Sequence, residues 1–314
     1  MSRERALAAA FAEALGVDVP QVALEPVGGG CINQAAVCEV AGERWFVKWN
    51  DRPLAGQFAA EAAGLAALAA AESGLVVPSV LVHSDVPGAA FLVLGYLERG
   101  ARGPGFDEAL GRGLAALHRS SAPEFGFALD GYCGATPQPN ARCASWLEFY
   151  RERRLGHQLT LARAAGFPSE GFRAGQRLLA RLEAWIEDDE PPALIHGDLW
   201  SGNLYPCAGG RPGLVDPAAY YGHREAELGM MTLFGGFSQR VFAAYDEAFP
   251  LAAGWRERLG LYRLYHVLSK APPFQPVWRR LRLASRVADP ALSVTPPPDT
   301  RRSAMNASHR SSAT

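Results

Sequence analysis

Two carboxylates and an amide stand out by their spacing. The run Ile195-His196-Gly197-Asp198-Leu199-Trp200-Ser201-Gly202-Asn203 sets Asp198 five positions before Asn203, and Leu214-Val215-Asp216 ends a second apolar stretch thirteen positions beyond Asn203. Transfer of a phosphoryl group from ATP to a hydroxyl uses these residue types. One carboxylate orients the hydroxyl and accepts its proton, while a neutral oxygen and a second carboxylate hold Mg2+ on the phosphates. D-x-x-x-x-N is the spacing of base and amide ligand in kinase catalytic loops, so Asp198 is the candidate base, and Asn203 and Asp216 are the candidate Mg2+ ligands. Oxygen donors in an incomplete cage suit that ion. Taken alone, the spacing fits a locally satisfied turn as well. The apolar strand and His-Gly before Asp198, and the strand that delivers Asp216, favour the catalytic reading.

A second group lies nearer the N-terminus. Gly28-Gly29-Gly30 between strand-like runs would let backbone amides approach phosphates closely, although glycine runs are more often plain turns. Lys48 could then pair with the ATP phosphates, held by Glu61 of the following helix; a solvated helix face is the other reading of Glu61. Lys48 has a compositional argument of its own. Of 31 basic residues only Lys48 and Lys270 are lysines, and a compact ammonium does not exchange freely with a guanidinium at a tight phosphate site. Cys31 sits inside the glycine loop, where amide donors could favour a thiolate open to oxidation; an inert small residue is the alternative.

The elements that must position these groups read as an α+β fold. Residues 1–15 form an amphipathic helix, 22–27, 35–40 and 44–49 are strands, and 53–73 is a long helix with Phe58, Ala62, Leu65 and Leu68 near helical spacing. Strands at 80–83 and 90–97 flank a turn at Asp85–Gly88. This is a mostly antiparallel sheet with one helix, covering residues 1–99 as an ATP-binding lobe. A glycine-rich linker at 100–105 opens a mostly helical catalytic and substrate lobe, residues 100–270. Helices are expected from Asp107, at 146–159, 172–186, 225–234, 238–249 and 255–269, with brief strands at 194–196 and 214–215. Residues 271–314 change character, with seven prolines and seven arginines but no glycine or glutamate. They read as an atypical tail, disordered towards its end, left by a shifted reading frame or a replaced C-terminus.

Composition sets the limits. A chain of 314 residues with 48% hydrophobic and 20% charged residues and a net charge of −1 is expected to be a globular two-domain protein, with neither nucleic acid nor membrane as its partner. The five cysteines are scattered, with no C-x-x-C pair and no zinc spacing, which points to reduced thiols and a cytoplasmic location.

Longer stretches carry a family likeness. Gly28 to Asn33, Phe46-Val47-Lys48-Trp49-Asn50, Pro137-Gln138-Pro139-Asn140 with Trp146 downstream, His196 to Asn203, Asp216 to Glu225 and Leu233 to Phe237 together resemble the fructosamine kinase (ketosamine-3-kinase) family, from about Val22 to Ser269. The resemblance implies a bilobal protein-kinase-like fold and phosphorylation of the 3-hydroxyl of a ketosamine, such as a fructosamine, ribulosamine or erythrulosamine adduct of lysine. The unstable 3-phosphate then frees the amine. By motif position Asp198 is the base, Asn203 and Asp216 are the Mg2+ ligands, and Lys48 clamps the phosphates. Small ketosamines or glycated proteins are the expected partners of a monomer or dimer. Trp200 is a platform for the sugar or lysine stem, or a core residue. His223, Arg224 and Glu225 shape the acceptor site, or Arg224 is a buried partner of a carboxylate; Asn140 is a further candidate. Gly95 replaces the acidic residue usual before the linker. The alternatives are another small-molecule phosphotransferase of aminoglycoside or choline type, or a nucleotide-binding pseudokinase disabled by its tail.

Overall fold

Ser2 starts helix α1 (Arg3–Leu15) by accepting a hydrogen bond from the Arg5 N–H, and Gly16 ends it in the left-handed region. This is a computed structural model, and it describes residues 2–28, 33–186 and 189–269. Gly29, Gly30, Cys31 and the stretch from Lys270 onward lie outside the described residues.

A five-stranded antiparallel sheet comes next in the chain. Its strands are β1 (Glu25–Pro26), β2 (Gln34–Val40) and β3 (Glu43–Trp49), then, after helix α2 (Gln57–Ala70), β4 (Val80–Val86) and β5 (Ala89–Gly95), in the spatial order β1-β2-β3-β5-β4. Alternation along β3 settles what each face does. Trp45, Val47 and Trp49 point to one side, where they pack with Phe91 and Val93 against Leu7 and Phe11 of α1. Phe46 points to the other side, where Leu92 and Leu94 meet Phe58 and Leu65 of α2. Lys48 shares that second face by period, so the one charged residue in the buried part of β3 is aimed at α2. The start of α2 is fixed from outside the helix. Gly56 at its N-terminus offers no side chain, and the carboxylate of Asp85 on β4 accepts from the N–H groups of Phe58 and Ala59 at 2.9 Å each. Asp85 therefore lies within a strand that runs to Val86, not in the expected turn. The expected strand at 22–27 is reduced to the two residues of β1.

Gly95 is explained by a close approach: a Cβ there would sit 2.5 Å from the Ser79 hydroxyl. The chain after β5 then docks on the second half of the molecule, with the Gly100 N–H donating to the Pro206 carbonyl at 2.8 Å.

The rest is mainly helical. Helix α3 (Phe106–His118) is followed by a small hairpin, β6 (Gly131–Cys133) and β7 (Thr136–Gln138), that the sequence pattern did not reveal. Helix α4 (Trp146–Phe149) passes through a widened π-turn, Tyr150–Gly156, into α5 (His157–Ala164), and α6 (Ser169–Leu179) is shorter than expected. Strand β8 (Ala193–Ile195) leads into the candidate catalytic loop. The hairpin of β9 (Leu204–Cys207) and β10 (Arg211–Leu214) leads to Asp216, and β11 (Tyr220–Gly222) returns to pair with β8, Tyr220 opposite Ile195. Helices α7 (Arg224–Leu233), α8 (Gln239–Ala248) and α9 (Trp255–Ser269) complete the fold. One core packs α3 and α8 beneath Leu194, Leu199, Leu204 and Leu214, and a second gathers Trp146, Phe149, Tyr150, Tyr220, Tyr262 and Tyr265. Both short sheets that carry the candidate site are thereby anchored in apolar packing on their inner sides. No helix among the described residues is long and apolar enough to cross a membrane.

Candidate active site

Lys48 crosses from the N-terminal sheet to the second half of the chain. Its Nζ lies 2.6 Å from Glu61 Oε1 and 2.7 Å from Asp216 Oδ1. Burial disfavours the ammonium, but the two carboxylates outweigh it and hold Lys48 protonated well above the ordinary lysine range. Burial in turn pushes the Glu61 carboxyl up, against the pull of Lys48 and with the added push of Asp216. One ammonium is thus shared by two acids. Asp216 is the open member, with its side chain 53% exposed, and its backbone is held at φ 57°, a left-handed conformation uncommon outside glycine.

The loop after β8 is over-determined. His196 donates from Nε2 to the Val215 carbonyl at 2.9 Å, and its Nδ1 accepts from the Asp198 N–H, which fixes the neutral tautomer with the proton on Nε2. Gly197 sits at φ 81°, where a Cβ would lie 2.1 Å from the Ala218 carbonyl oxygen, so only glycine fits. Beneath the loop, the buried Glu227 of α7 accepts from the N–H groups of both His196 and Gly197. Sequence reasoning passed over Glu227. Its only signal is an acid placed among Ala226, Leu228, Met230 and Met231 on a buried helix.

Asn203 answers the question of metal fit. Its Nδ2 lies 2.9 Å from the Asp198 carbonyl and 3.4 Å from the Asp216 carbonyl. Both are pure acceptors, so the amide nitrogen must face them and Oδ1 must face the other way. A neutral oxygen and a half-exposed carboxylate are thereby presented close to the buried Asp198, and this oxygen-only donor set suits a hard divalent ion.

The other candidates separate into two groups. Trp200, 38% exposed, meets Phe234 edge-on at 6.3 Å, and its ring lies against Gly202, where a Cβ would come within 2.3 Å of it. It is an exposed aromatic surface beside Asp198. By contrast, the bonding capacity of His223, Arg224, Glu225 and Asn140 is used inside the fold. His223 caps α7 through Nδ1, and Arg224 makes a two-pronged pair with Glu190 at 2.7 Å on each prong and also donates to the Phe249 and Pro250 carbonyls. Glu225 takes both prongs of Arg258, and Asn140 Oδ1 accepts from Arg154 at 2.7 Å. Of the two readings of Arg224, the structure places it in the one that pairs it with a carboxylate. Arg154, fully buried on the π-turn and stacked 3.9 Å over the Tyr220 ring, is a residue that the sequence did not single out. Gly28 precedes the part of the glycine loop that lies outside the described residues. At the loop's far end, Asn33 Oδ1 accepts from Asn50 and Gln57, tying it to β3 and α2.

Three comparisons bear on this arrangement. A sequence model described as fructosamine kinase matches residues 4–283, extending at both ends beyond the stretch that the motifs cover. A "probable ketoamine kinase" of Synechocystis sp. is 42% identical over 248 residues, covering 77% of this chain and 82% of that protein. A chloroplastic protein-ribulosamine 3-kinase of Oryza sativa subsp. japonica is 39% identical over 246 residues, covering 77% of this chain and 71% of that protein. Among solved structures, that of a candidate fructosamine-3-kinase from Thermobifida fusca superposes with a TM-score of 0.78 at 37% identity, over 90% of this chain and 98% of the other. The kinase-like fold and the loop geometry agree with these matches, and the chain belongs to the fructosamine kinase family.

Proposed function

We propose that this chain uses Mg2+-ATP to phosphorylate the sugar 3-hydroxyl of ketosamines, adducts of a reducing sugar with lysine. Membership of a kinase family makes it an ATP-dependent phosphotransferase; the acceptor, the ion and the roles of individual residues are the proposal. The observation that carries it is the 2.7 Å reach of Lys48 to Asp216, which joins the lysine of the N-terminal sheet to the carboxylate after β10, while Asn203 ties the Asp216 and Asp198 carbonyls together.

In this reading Asp198 takes the proton as the acceptor O–H bond breaks. The oxygen bonds to the γ-phosphorus, the bond from that phosphorus to the β,γ-bridging oxygen breaks, and ADP departs. Asn203 Oδ1 and the Asp216 carboxylate would hold the ion, which would supply charge neutralisation on the phosphates. Lys48, steadied by Glu61, pairs with the non-transferred phosphates. Glu227 and His196 act by fixing the loop, so that Asp198 is in place before the substrate arrives. Trp200 and Phe234 offer the sugar and lysine stem an apolar face. Names given to the relatives, ketoamine kinase and ribulosamine 3-kinase, support a ketosamine acceptor over an aminoglycoside or choline. Division into lobes at residues 1–99 and 100–270, and a cytoplasmic location, belong to the same proposal.

The test is Mg2+-ATP-dependent phosphorylation of ribuloselysine, fructoselysine, kanamycin and choline, with Asp198→Asn as control. Turnover on a ketosamine that vanishes in the control supports the reading and ranks the sugars. Turnover confined to kanamycin or choline, or nucleotide binding with no turnover at all, overturns it.

A further inference from the structure

Asp198 has neighbours that its proposed role does not use. Cys133 at the end of β6, Asp198 in the catalytic loop and His266 on α9 come from three separate elements. A Cys133 Sγ, an Asp198 carboxylate oxygen and a His266 ring nitrogen all lie within 4.8 Å of one another, and all three residues are buried. The hairpin and the helix that supply two of them are locked together. The Thr136 hydroxyl donates to the Ser269 carbonyl, and Tyr265 Oη donates to Gln138 Oε1 at 2.8 Å, while Gln138 Nε2 donates to the Ala218 carbonyl just beyond Asp216.

We infer that Cys133, Asp198 and His266 form an inhibitory binding site for a thiophilic divalent cation, Zn2+ being the physiological choice. Ligand chemistry carries this. One thiolate, one imidazole and one carboxylate make a mixed S/N/O set that prefers Zn2+ and disfavours Mg2+, whereas Asn203 and Asp216 offer oxygen alone. Size agrees as well. Tetrahedral Zn2+ with these ligands sets the donor atoms about 3.3–3.7 Å apart, so a closing movement of about 1–1.5 Å from the observed 4.8 Å limit completes the site, with a fourth position left for water. Sequence spacing cannot reveal such a site, because its ligands are brought together only by the packing of β6, the catalytic loop and α9. The consequence rests on the proposed role of Asp198 as base. A carboxylate that is bound to Zn2+ shares the ion's positive charge and is held by it, so it no longer has the basicity or the orientation to take the acceptor's proton; an ion here stops turnover while leaving Lys48 and Asp216 available to nucleotide.

Cobalt(II) titration of the reduced protein tests the site without reference to activity. One equivalent of Co2+ should give a thiolate-to-cobalt charge-transfer band that Zn2+ displaces. Cys133→Ala should abolish the band, and His266→Gln should weaken Co2+ binding at least tenfold. Absence of the band in the natural sequence, or its persistence in Cys133→Ala, overturns the site. Should Cys133→Ala fail to fold, the affinity of His266→Gln decides by itself, unchanged affinity counting against the site. In a second arm, ketosamine phosphorylation is followed at buffered free Zn2+, each variant normalised to its own zinc-free rate. Inhibition relieved by a chelator, and shifted at least tenfold in both variants, is expected. A band without inhibition overturns the inhibitory role while the Asp198→Asn control decides separately on Asp198 as base, and a protein with no kinase activity on any acceptor still leaves the cobalt result standing.

Discussion

The carboxylate of Glu227 accepts a hydrogen bond from the backbone N–H of His196, so the loop that presents Asp198 rests on a buried acidic side chain. A second N–H, from Gly197, meets the other oxygen at 3.2 Å. On the far side His118 Nε2 stands 3.9 Å away, and His118 Nδ1 is bonded to Tyr245 Oη at 2.7 Å. Glu227 holds the backbone of the loop and not the side chain of Asp198, so in the proposed reaction it acts by position. Glu227→Gln keeps the volume but turns an NH2 group towards one of the two N–H donors, leaving a single oxygen to accept. The expected result is a kcat lower by about 100-fold, the effect of a displacement on the order of 1 Å, with KM for ATP unchanged. Steady-state kinetics with each substrate varied will show the split, and an equal rise in the ATP KM would instead mark Glu227 as part of nucleotide binding.

Lys48, Asp198 and Asp216 carry different burdens and should fail differently. Asp198→Asn should remove turnover, by about 10^3-fold or more, with Mg2+-ATP affinity largely kept. Asp216→Asn should weaken metal-dependent nucleotide binding itself. Lys48→Arg should behave almost as badly as Lys48→Met, because a planar fork cannot take the place of a point charge held between carboxylates at 2.6 and 2.7 Å. Nucleotide titrations with and without Mg2+ distinguish the three. Identical binding by Asp198→Asn and Asp216→Asn would remove the division of labour.

Much of this was legible because local pattern and chemistry coincide. Lys48 on a strand and Glu61 on the helix after it fit the kinase pattern of a lysine steadied by a helix carboxylate, and α9 has the bounds expected from the sequence, Trp255–Ser269. The loop from His196 to Asn203 declared itself by residue type. Other parts were hidden for physical reasons. Strands β6 and β7 are three residues each, too short to show alternation, and β7 holds a proline. Glu190 lies outside any helix or strand, so no periodicity ties it to Arg224. Arg154 is turned inward by a π-turn, which breaks the 3.6-residue period on which a helical reading depends. The association of Cys133 with His266 is purely tertiary.

Acid should loosen the start of α7 in two stages. Burial lowers the pKa of His223 below its ordinary 6.5, the nearby Glu225 and Glu190 only partly opposing that, with Arg224 and Arg258 adding to the lowering. Below about pH 6.5 the unfolded chain therefore takes up a proton that the folded one refuses, and stability falls as pH falls through this range. Glu190 follows. Burial alone would raise its carboxyl, but the Arg224 guanidinium and His223 bring it below the ordinary 4.5, so its contribution is present above that value and is lost on further acidification. Melting temperature measured from pH 7.5 to 3.5 should thus decline from about pH 6.5 downwards. His223→Asn, which keeps a capping side chain without a titrating one, should flatten the first stage. Glu190→Gln should cost about 2 kcal/mol at neutral pH, and the difference from the natural sequence should shrink as pH falls below 4.5; a constant difference across the range would show that the pair does not titrate as described.

Trp200 is the remaining test of which surface meets the acceptor. Its indole is exposed, lies against Gly202 and meets Phe234 edge-on, so the fold does not need it as a core residue. If the lysine stem or sugar ring lies on this face, Trp200→Ala loses an aromatic contact of about 1.4 kcal/mol, seen as a roughly tenfold rise in KM for the ketosamine. KM for ATP and the melting temperature should hardly move. Trp200→Phe, which keeps a ring, should recover most of the affinity. A fall in melting temperature of several degrees with acceptor KM unchanged would return Trp200 to a packing role and place the acceptor on another surface.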